Sequence, residues 1–582
     1  MQLHFPRTML VASLVMVLWH SSETRTIPAS PVPDNPKPVK NLIILIPDGC
    51  GTAHMAAARI LKHAPLAQDS MHCGLVMTYS ANSLVTGSSA AASAFATGWK
   101  AWEDKHRARC LSIVPDSVLI PEPRRNPEEM IWRPAATILE AARDQGRETG
   151  IVVTCNINHA TPAGFSAHWH DRDDGNVLTL QQVFQGFDVI LAGGYGNLIP
   201  ISMNGGKRTD GANLVSVLTS RGYSMITDAM QLESLPASSS RIWGAFANDH
   251  FMHALDAQAG GKNEPSLASR TKIAIDHLRH AKKGFVLIVE GSQVDWASHD
   301  NDPVGVVTEY LAFDSAVSVA LDFARSTGNT EVLVFPDHDN GGMSVSSRGD
   351  DCTSTPYGNF AKIDSCTMTC GGLFDSLVSI ARLHGSIDIT TVTTYLGNVL
   401  HLRNLSDDDR LFSLIDTITA IAKGEKKRTN DNASLLGAIF SKRVHIGWTT
   451  NGHTGSNVPM FSYLLQNEGT FNNTDIARYC AAILRVDLHA ETDRLFTAAP
   501  QLFTEAGGYA ITVDTTGLVA GSGSMAVKKG ENTALFPFNR DYFTVESDTV
   551  ALGGITVYSK MNGTVYLPAA AKKLVAKKLP KR

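Results

Sequence analysis

An α/β fold, a mostly parallel central sheet covered by helices on both faces with a small β-rich unit after it, is predicted by three observations on this 582-residue chain. Strand-like apolar runs alternate with helix-like stretches, and that alternation requires parallel crossovers. The run FVLIVEG at 285 is apolar nearly throughout, as a strand buried on both faces must be. From about residue 500 the pattern changes to short runs such as YAITVDTTG, DYFTVES and GGITVYSK, separated by Gly, Asp and Asn turns.

Taken in order, residues 1–26 resemble an export signal: Arg7 precedes the apolar run Met9 to Trp19, which is too short to span a bilayer as a helix. Export to a periplasmic or extracellular location is expected, with membrane contact only if this segment is kept as an anchor. Residues 27–39 are rich in proline and read as a linker. The main domain covers 40–490, with strands at NLIILIPDG (41), TGIVVTCN (149), FDVILAGG (187), FVLIVEG (285) and EVLVFPDH (331). Residues from 341 to about 445 are richer in Gly, Ser, Thr and charge and read as a less regular insertion. Residues 500–582 form the β-rich unit, and its basic end AAAKKLVAKKLPKR reads as a solvated helical tail.

A hydrophobic content of 43% supplies a large core, and a net charge of -5 argues against nucleic-acid binding, which needs a basic excess or stripe. Eight cysteines in an exported chain permit disulfides. Cys352, Cys366 and Cys370 cluster in one polar region and are the expected pairing partners, because their spacing lacks the paired C-x-x-C of a zinc-thiolate site. Cys50, two residues after Asp48, reads as a small buried residue.

Polar residues stand just past the predicted strand ends: Asp48, Glu290, Asp337 and His338. Open α/β sheets place their sites at that rim. Asp295 and His299, four residues apart, can face one ion from one helix side. His453 lies in the glycine-flanked segment WTTNGHTG, which can present a side chain from a loop. Asp48, Asp295, His299, Asp337, His338 and His453 are oxygen and nitrogen donors of the kinds zinc accepts, and their joint placement carries the metal reading. In SLVTGSSAAASAFATGWK, Ser88 sits near the start of an alanine-rich helix, where a serine either caps the helix or faces an anion.

In order from about 40 to about 485, the motifs LIPDG, TGSSAAASAFATG, HATPAGFSAHWHDR, VEGSQVDWASH, PDH and GHTG resemble those of the alkaline phosphatase family. The resemblance implies a doubly wound three-layer α/β sandwich, a homodimer, and a metal-dependent phosphomonoesterase. It implies that Ser88 is the transiently phosphorylated nucleophile and that Arg172, eleven residues after Thr161, clamps the phosphate. It further implies two zinc ions, one on Asp295, His299 and His453 and the other on Asp337, His338 and Asp48. A third ion, magnesium, would be bound by Asp48, Thr161 and Glu290. These roles suit the residue types: a serine hydroxyl needs a base or a metal to attack at neutral pH, and an arginine fork matches two phosphate oxygens.

Three departures from the family pattern stand out. Gly87 replaces the aspartate that precedes the nucleophile in many relatives, so an orienting contact to Arg172 is expected to be missing. His159 stands near the third metal, where an imidazole admits zinc or cobalt. Trp296 replaces a lysine or histidine and cannot donate charge to phosphate. The expected function is hydrolysis of small phosphate monoesters at alkaline pH with broad specificity. The rival readings are a phosphodiesterase of the same superfamily and a catalytically weak protein that binds metal and phosphate.

Overall fold

Strand β1, Asn41–Pro47, is buried along its whole length, and its side chains divide between two cores. Ile43 and Leu45 enter one; Leu42, Ile44 and Ile46 enter the other. A strand whose alternate residues are all apolar has no face to offer water, so helices must cover both sides of its sheet. The computed structural model describes residue 32 and residues 36–103, 113–115, 132–236, 241–261, 264–353, 357–403, 405, 410–464 and 468–579. The expected export signal at 1–26 and most of the linker at 27–39 lie outside the described residues.

Nine further strands join β1: β2 (His72–Met77), β3 (Glu148–Asn156), β4 (Val189–Gly193), β5 (Tyr223–Ile226), β6 (Arg241–Ala245), β7 (Phe285–Gly291), β8 (Thr330–Val334), β9 (Val458–Ser462) and β10 (Thr470–Asn472). Their order across the sheet is β10-β2-β9-β8-β1-β7-β3-β4-β6-β5. Every pairing is parallel except the two made by β9. From β1 the chain passes to β2 on one side and then to β3 on the other. That reversal opens a crevice at the C-terminal end of the central strands.

Helix α1 (Thr52–Lys62) follows β1, and α2 (Ser88–Thr97) follows β2. Every residue of α2 is buried, and Ala91, Ala92, Phe95 and Ala96 pack into the core that takes Leu42 and Ile44. Its alanines let α3 (Ala160–Ser166) come close: a Cβ on Gly164 would lie 2.6 Å from the Cβ of Ala92. The opposite face carries α4 (Gln293–His299) and α5 (Pro303–Thr327). Asp302 caps α5 by accepting from the backbone N–H groups of Val304 and Gly305, with Pro303 in the first turn. Helix α5 is long and apolar enough to cross a membrane, yet 67% of its apolar window is buried within the fold.

The stretch after 341 is more regular than expected. It holds α6 (Tyr357–Asp364), α7 (Cys370–His384), α8 (Ile389–Val399), α9 (Arg410–Ala422) and α10 (Asn430–Val444). Each of these helices is amphipathic, so the polar face dominates the composition while the apolar face recurs with helical period. In α7 the buried face is Leu373, Phe374, Leu377, Val378 and Ala381. Cys352, Cys366 and Cys370 are free thiols, contrary to the expected pairing. Cys366 and Cys370 serve as small core residues, and the Cys366 thiol donates to the carbonyl of Lys362 at 3.2 Å.

The C-terminal unit is an antiparallel meander of Ala510–Asp514, Ser524–Lys529, Asn532–Pro537, Tyr542–Val545 and Asp548–Ala551. Its core of Met525, Val527, Phe536 and Phe543 is continuous with Ala163, Ala167 and Trp169 of the main domain. The segment that runs from Thr161 towards Arg172 therefore rests on this unit. The basic end forms α11 (Ala571–Lys578), which buries Ala571 and Val575 and turns its lysines to solvent.

Candidate active site and metal centre

Three adjacent strands, in the order β8-β1-β7, end at one rim. Asp337 and His338 follow β8, Asp48 follows β1, and Glu290 is the penultimate residue of β7; all four are fully buried. The turn after Asp48 requires glycine. Gly49 has φ +67° and donates its N–H to Asp337 Oδ1 at 3.0 Å, and a Cβ there would meet Asp295 Oδ1 at 2.4 Å.

Ser88 is the first residue of α2, and its Oγ lies 3.1 Å from His338 Nε2. The same nitrogen lies 3.2 Å from Asp337 Oδ2 and 3.6 Å from Asp48 Oδ1. In a serine-histidine-acid triad the acid orients the histidine through the other ring nitrogen, and His338 Nδ1 has no partner among the described residues. The serine, both carboxylates and the imidazole instead converge on one point, as ligands do around a cation.

A second group lies beside the first. His299 Nδ1 donates to the carbonyl of Asn451 at 2.7 Å, and His453 Nδ1 donates to that of Thr86 at 2.8 Å. Each bond fixes a ring proton on Nδ1 and turns Nε2 towards Asp295, the nitrogen that a cation would take. Those Nε2 atoms lie 3.4 Å and 3.6 Å from the two oxygens of Asp295. Asn340 holds that carboxylate by donating to Oδ1 at 2.7 Å. The rings of His338 and His453 stack at 3.6 Å and join the two groups.

A third group contains Cys155, His159 and Glu290, with Thr161 on the following turn. Both oxygens of Asp48, Asp337 Oδ2, Glu290 Oε1, Thr161 Oγ1 and His159 Nδ1 are buried without a hydrogen-bond partner among the described residues. Burying that many unpaired polar atoms is costly unless a cation takes their lone pairs. Burial and then the charge of Asp337 hold the Asp48 carboxyl well above the ordinary range, and the same two causes push Glu290 up to about 7. Asp295 goes the other way: burial raises it, but the neighbouring charge of His299 overrides that and holds it well below. Ligand atoms of Asp48, Asp337 and His338, and of Asp295, His338 and His453, fall within 4.8 Å of one another. The donor set and the unpartnered atoms fit divalent cations, zinc-type at the first two groups.

These groups open into a cavity of about 710 Å3 whose wall includes Ser88, His159, Arg172, Trp296, His299 and His453. Arg172 donates from Nη2 to His159 Nε2 at 3.0 Å. Trp296 packs against His159 and His250, with ring centres 5.4 Å and 4.4 Å away. The geometry therefore gathers ten of the eleven residues singled out in the sequence, Asp48, Ser88, His159, Arg172, Glu290, Asp295, His299, Asp337, His338 and His453, and sets the eleventh, Thr161, on the helix that follows His159.

Three neighbours of the site escaped the sequence. The Glu103 carboxylate accepts the Gly87 N–H at 2.5 Å, filling space that an aspartate side chain at position 87 would need. Glu103 lies in a loop without periodicity, so nothing local announced it. Arg428, from the inserted helical region, lines the cavity while pairing with Asp300 and Asp375. Cys155 is the penultimate residue of its strand, as Glu290 is of β7, and that position was its only available signal.

A family model described as alkaline phosphatase matches residues 39–486. Alkaline phosphatase 3 of Bacillus subtilis is 32% identical over 502 residues, covering 81% of this chain and 96% of that one. The repressible alkaline phosphatase of Saccharomyces cerevisiae is 29% identical over 500 residues, covering 78% and 83%. Among solved structures, the cold-active alkaline phosphatase of a psychrophilic Shewanella species superposes with a TM-score of 0.61 at 26% identity, covering 76% of this chain and 99% of that one.

Proposed function

The chain belongs to the alkaline phosphatase family, whose members depend on metals, and on that premise we propose that this phosphatase hydrolyses phosphate monoesters through a phosphoserine on Ser88. Asp48, Asp337 and His338 would hold one zinc ion, and Asp295, His299 and His453 the second. Asp48, Thr161 and Glu290, with His159 beside them, would hold a third ion. When bound, the metals supply charge stabilisation on opposite sides of phosphorus and lower the pKa of coordinated oxygens.

Ser88 is suited to attack because it opens α2, where free N–H groups and the helix dipole favour the phosphate dianion. Its Oγ forms the bond to phosphorus as the ester oxygen leaves with the alcohol. Water then cleaves the serine ester and releases inorganic phosphate. Arg172 exchanges its bond to His159 for two phosphate oxygens and orients the group in both steps. Among the described residues the rim offers donors for phosphate and no dedicated pocket for one alcohol, which supports broad specificity. Deprotonated nucleophiles support an alkaline optimum.

The observation that carries this reading is the position of Ser88 Oγ at 3.1 Å from a histidine nitrogen that also faces two buried carboxylates. Elemental analysis with nitrophenyl phosphate turnover, before and after chelation, tests it. At least two zinc ions per chain and activity that falls with chelation and returns with zinc are expected; full activity in metal-free protein would overturn it. Faster turnover of bis-nitrophenyl phosphate than of the monoester would favour the phosphodiesterase reading. Export and a homodimeric state are part of the proposal, checked by fractionating the producing cells and by light scattering.

A further inference from the structure

Cys155 is the penultimate residue of β3, on the face that packs against α2, and it is fully buried. Its Sγ lies 3.5 Å from Glu290 Oε2, and one ligand atom each of Cys155, His159 and Glu290 fall within 4.8 Å of one another. Glu290 Oε1 and His159 Nδ1, and Thr161 Oγ1 on the next helix, are buried and unpartnered among the described residues. A cysteine that only fills a core is surrounded by apolar atoms. This one faces a carboxylate with a lone pair to spare and an imidazole whose Nδ1 makes no hydrogen bond among the described residues.

Resting on the third metal position of the reading above, we propose that Cys155 supplies a sulfur ligand there beside His159 and Glu290, so that the position takes zinc or cobalt in preference to magnesium. Magnesium requires near-octahedral oxygen ligands and keeps several waters, whereas sulfur and imidazole suit zinc and cobalt. The thiol proton leaves to solvent as the metal–sulfur bond forms, so uptake at this position releases one proton more than an oxygen-only site. Because His159 Nε2 accepts from Arg172, a neutral His159 carries its proton on Nδ1. Giving a lone pair to a metal from either nitrogen breaks that bond, so filling the position with zinc or cobalt also releases Arg172 towards phosphate.

The test uses the full-length protein, stripped of metal and titrated with cobalt. A thiolate-to-cobalt charge-transfer band in the near ultraviolet is expected in the unaltered chain, lost in Cys155→Ser and kept in Cys50→Ser. Dialysis of the zinc-loaded protein against excess magnesium should leave zinc at the third position of the unaltered chain. Cys155→Ser should exchange that ion, its affinity falling by at least the roughly 10–100-fold typical of a lost outer-shell partner. Zinc-edge X-ray absorption on the unaltered protein needs no variant to fold and should show a sulfur scatterer. Bound cobalt or zinc with no sulfur signature overturns the role of Cys155 and leaves the two-zinc reading standing. A chain that binds no divalent ion and turns over no ester overturns that reading too.

Discussion

Ser88 Oγ and His338 Nε2 lie 3.1 Å apart although 250 residues separate them in the chain. One begins a helix on one face of the sheet, and the other follows the end of β8 at its rim. Contact between them requires α2 to pack over the central strands with its first residue at the crevice, which its unbroken run of small buried side chains allows.

Ser88→Ala should lower kcat for nitrophenyl phosphate by roughly a thousandfold or more, with metal content nearly unchanged. Acid quenching followed by mass spectrometry should find phosphate on Ser88 of the unaltered protein and none on the variant. Phosphorylation of another residue at the same rate would refute the assignment.

Asp48→Asn should act oppositely with and without metal. Both oxygens of Asp48 are buried beside Asp337 without partners among the described residues, so in metal-free protein the amide removes the penalty of burial and repulsion that holds the carboxyl well above its ordinary range and should stabilise by on the order of 1–3 kcal/mol. In zinc-loaded protein it should destabilise, because a ligand is lost. Calorimetry with and without chelator checks the reversal.

Glu103→Ala should reduce kcat/KM by about 10–100-fold through a shift of the Gly87–Ser88 backbone. Glu103→Gln keeps an acceptor for the Gly87 N–H and should restore most of the loss. Asn82 clamps the Glu103 backbone at 2.5 Å and 2.7 Å, so the side chain is placed with little freedom. A stable Glu103→Ala variant with unchanged kinetics would remove Glu103 from the site.

His253 forms an ion pair with Glu309 at 3.3 Å. Burial lowers its pKa, but the Glu309 carboxylate outweighs that and raises it to about 9. A histidine raised in the folded state contributes stability that is complete below its unfolded value of about 6.5 and is lost as pH rises through about 9. The unaltered protein should therefore lose up to about 3 kcal/mol relative to His253→Gln across that window, read from denaturation midpoints at fixed metal.

Much of the site was legible because its residues stand at positions that local rules single out. Asp48, Glu290, Asp337 and His338 close apolar runs, and a run of that kind is a central strand whatever surrounds it. Asp295 and His299 meet because four residues make about one helical turn. The five helices between 357 and 444 were missed because an amphipathic helix shows its polar face in composition and hides its apolar face in spacing.

Residue type and short-range period were thus enough to determine which side chains end strands, which helix opens on a serine, and which donor chemistry is available. Pairing order was left to the tertiary structure: β1 lies between β8 and β7, which sets Asp48 among the acids of both neighbours. So were the ring tautomers of His299 and His453, chosen by the carbonyls of Asn451 and Thr86, and the meeting of Cys155 with Glu290. The division has one physical cause. Strand and helix propensity act over a few residues, whereas burial and hydrogen bonding across the sheet join groups that only the packed chain brings within reach.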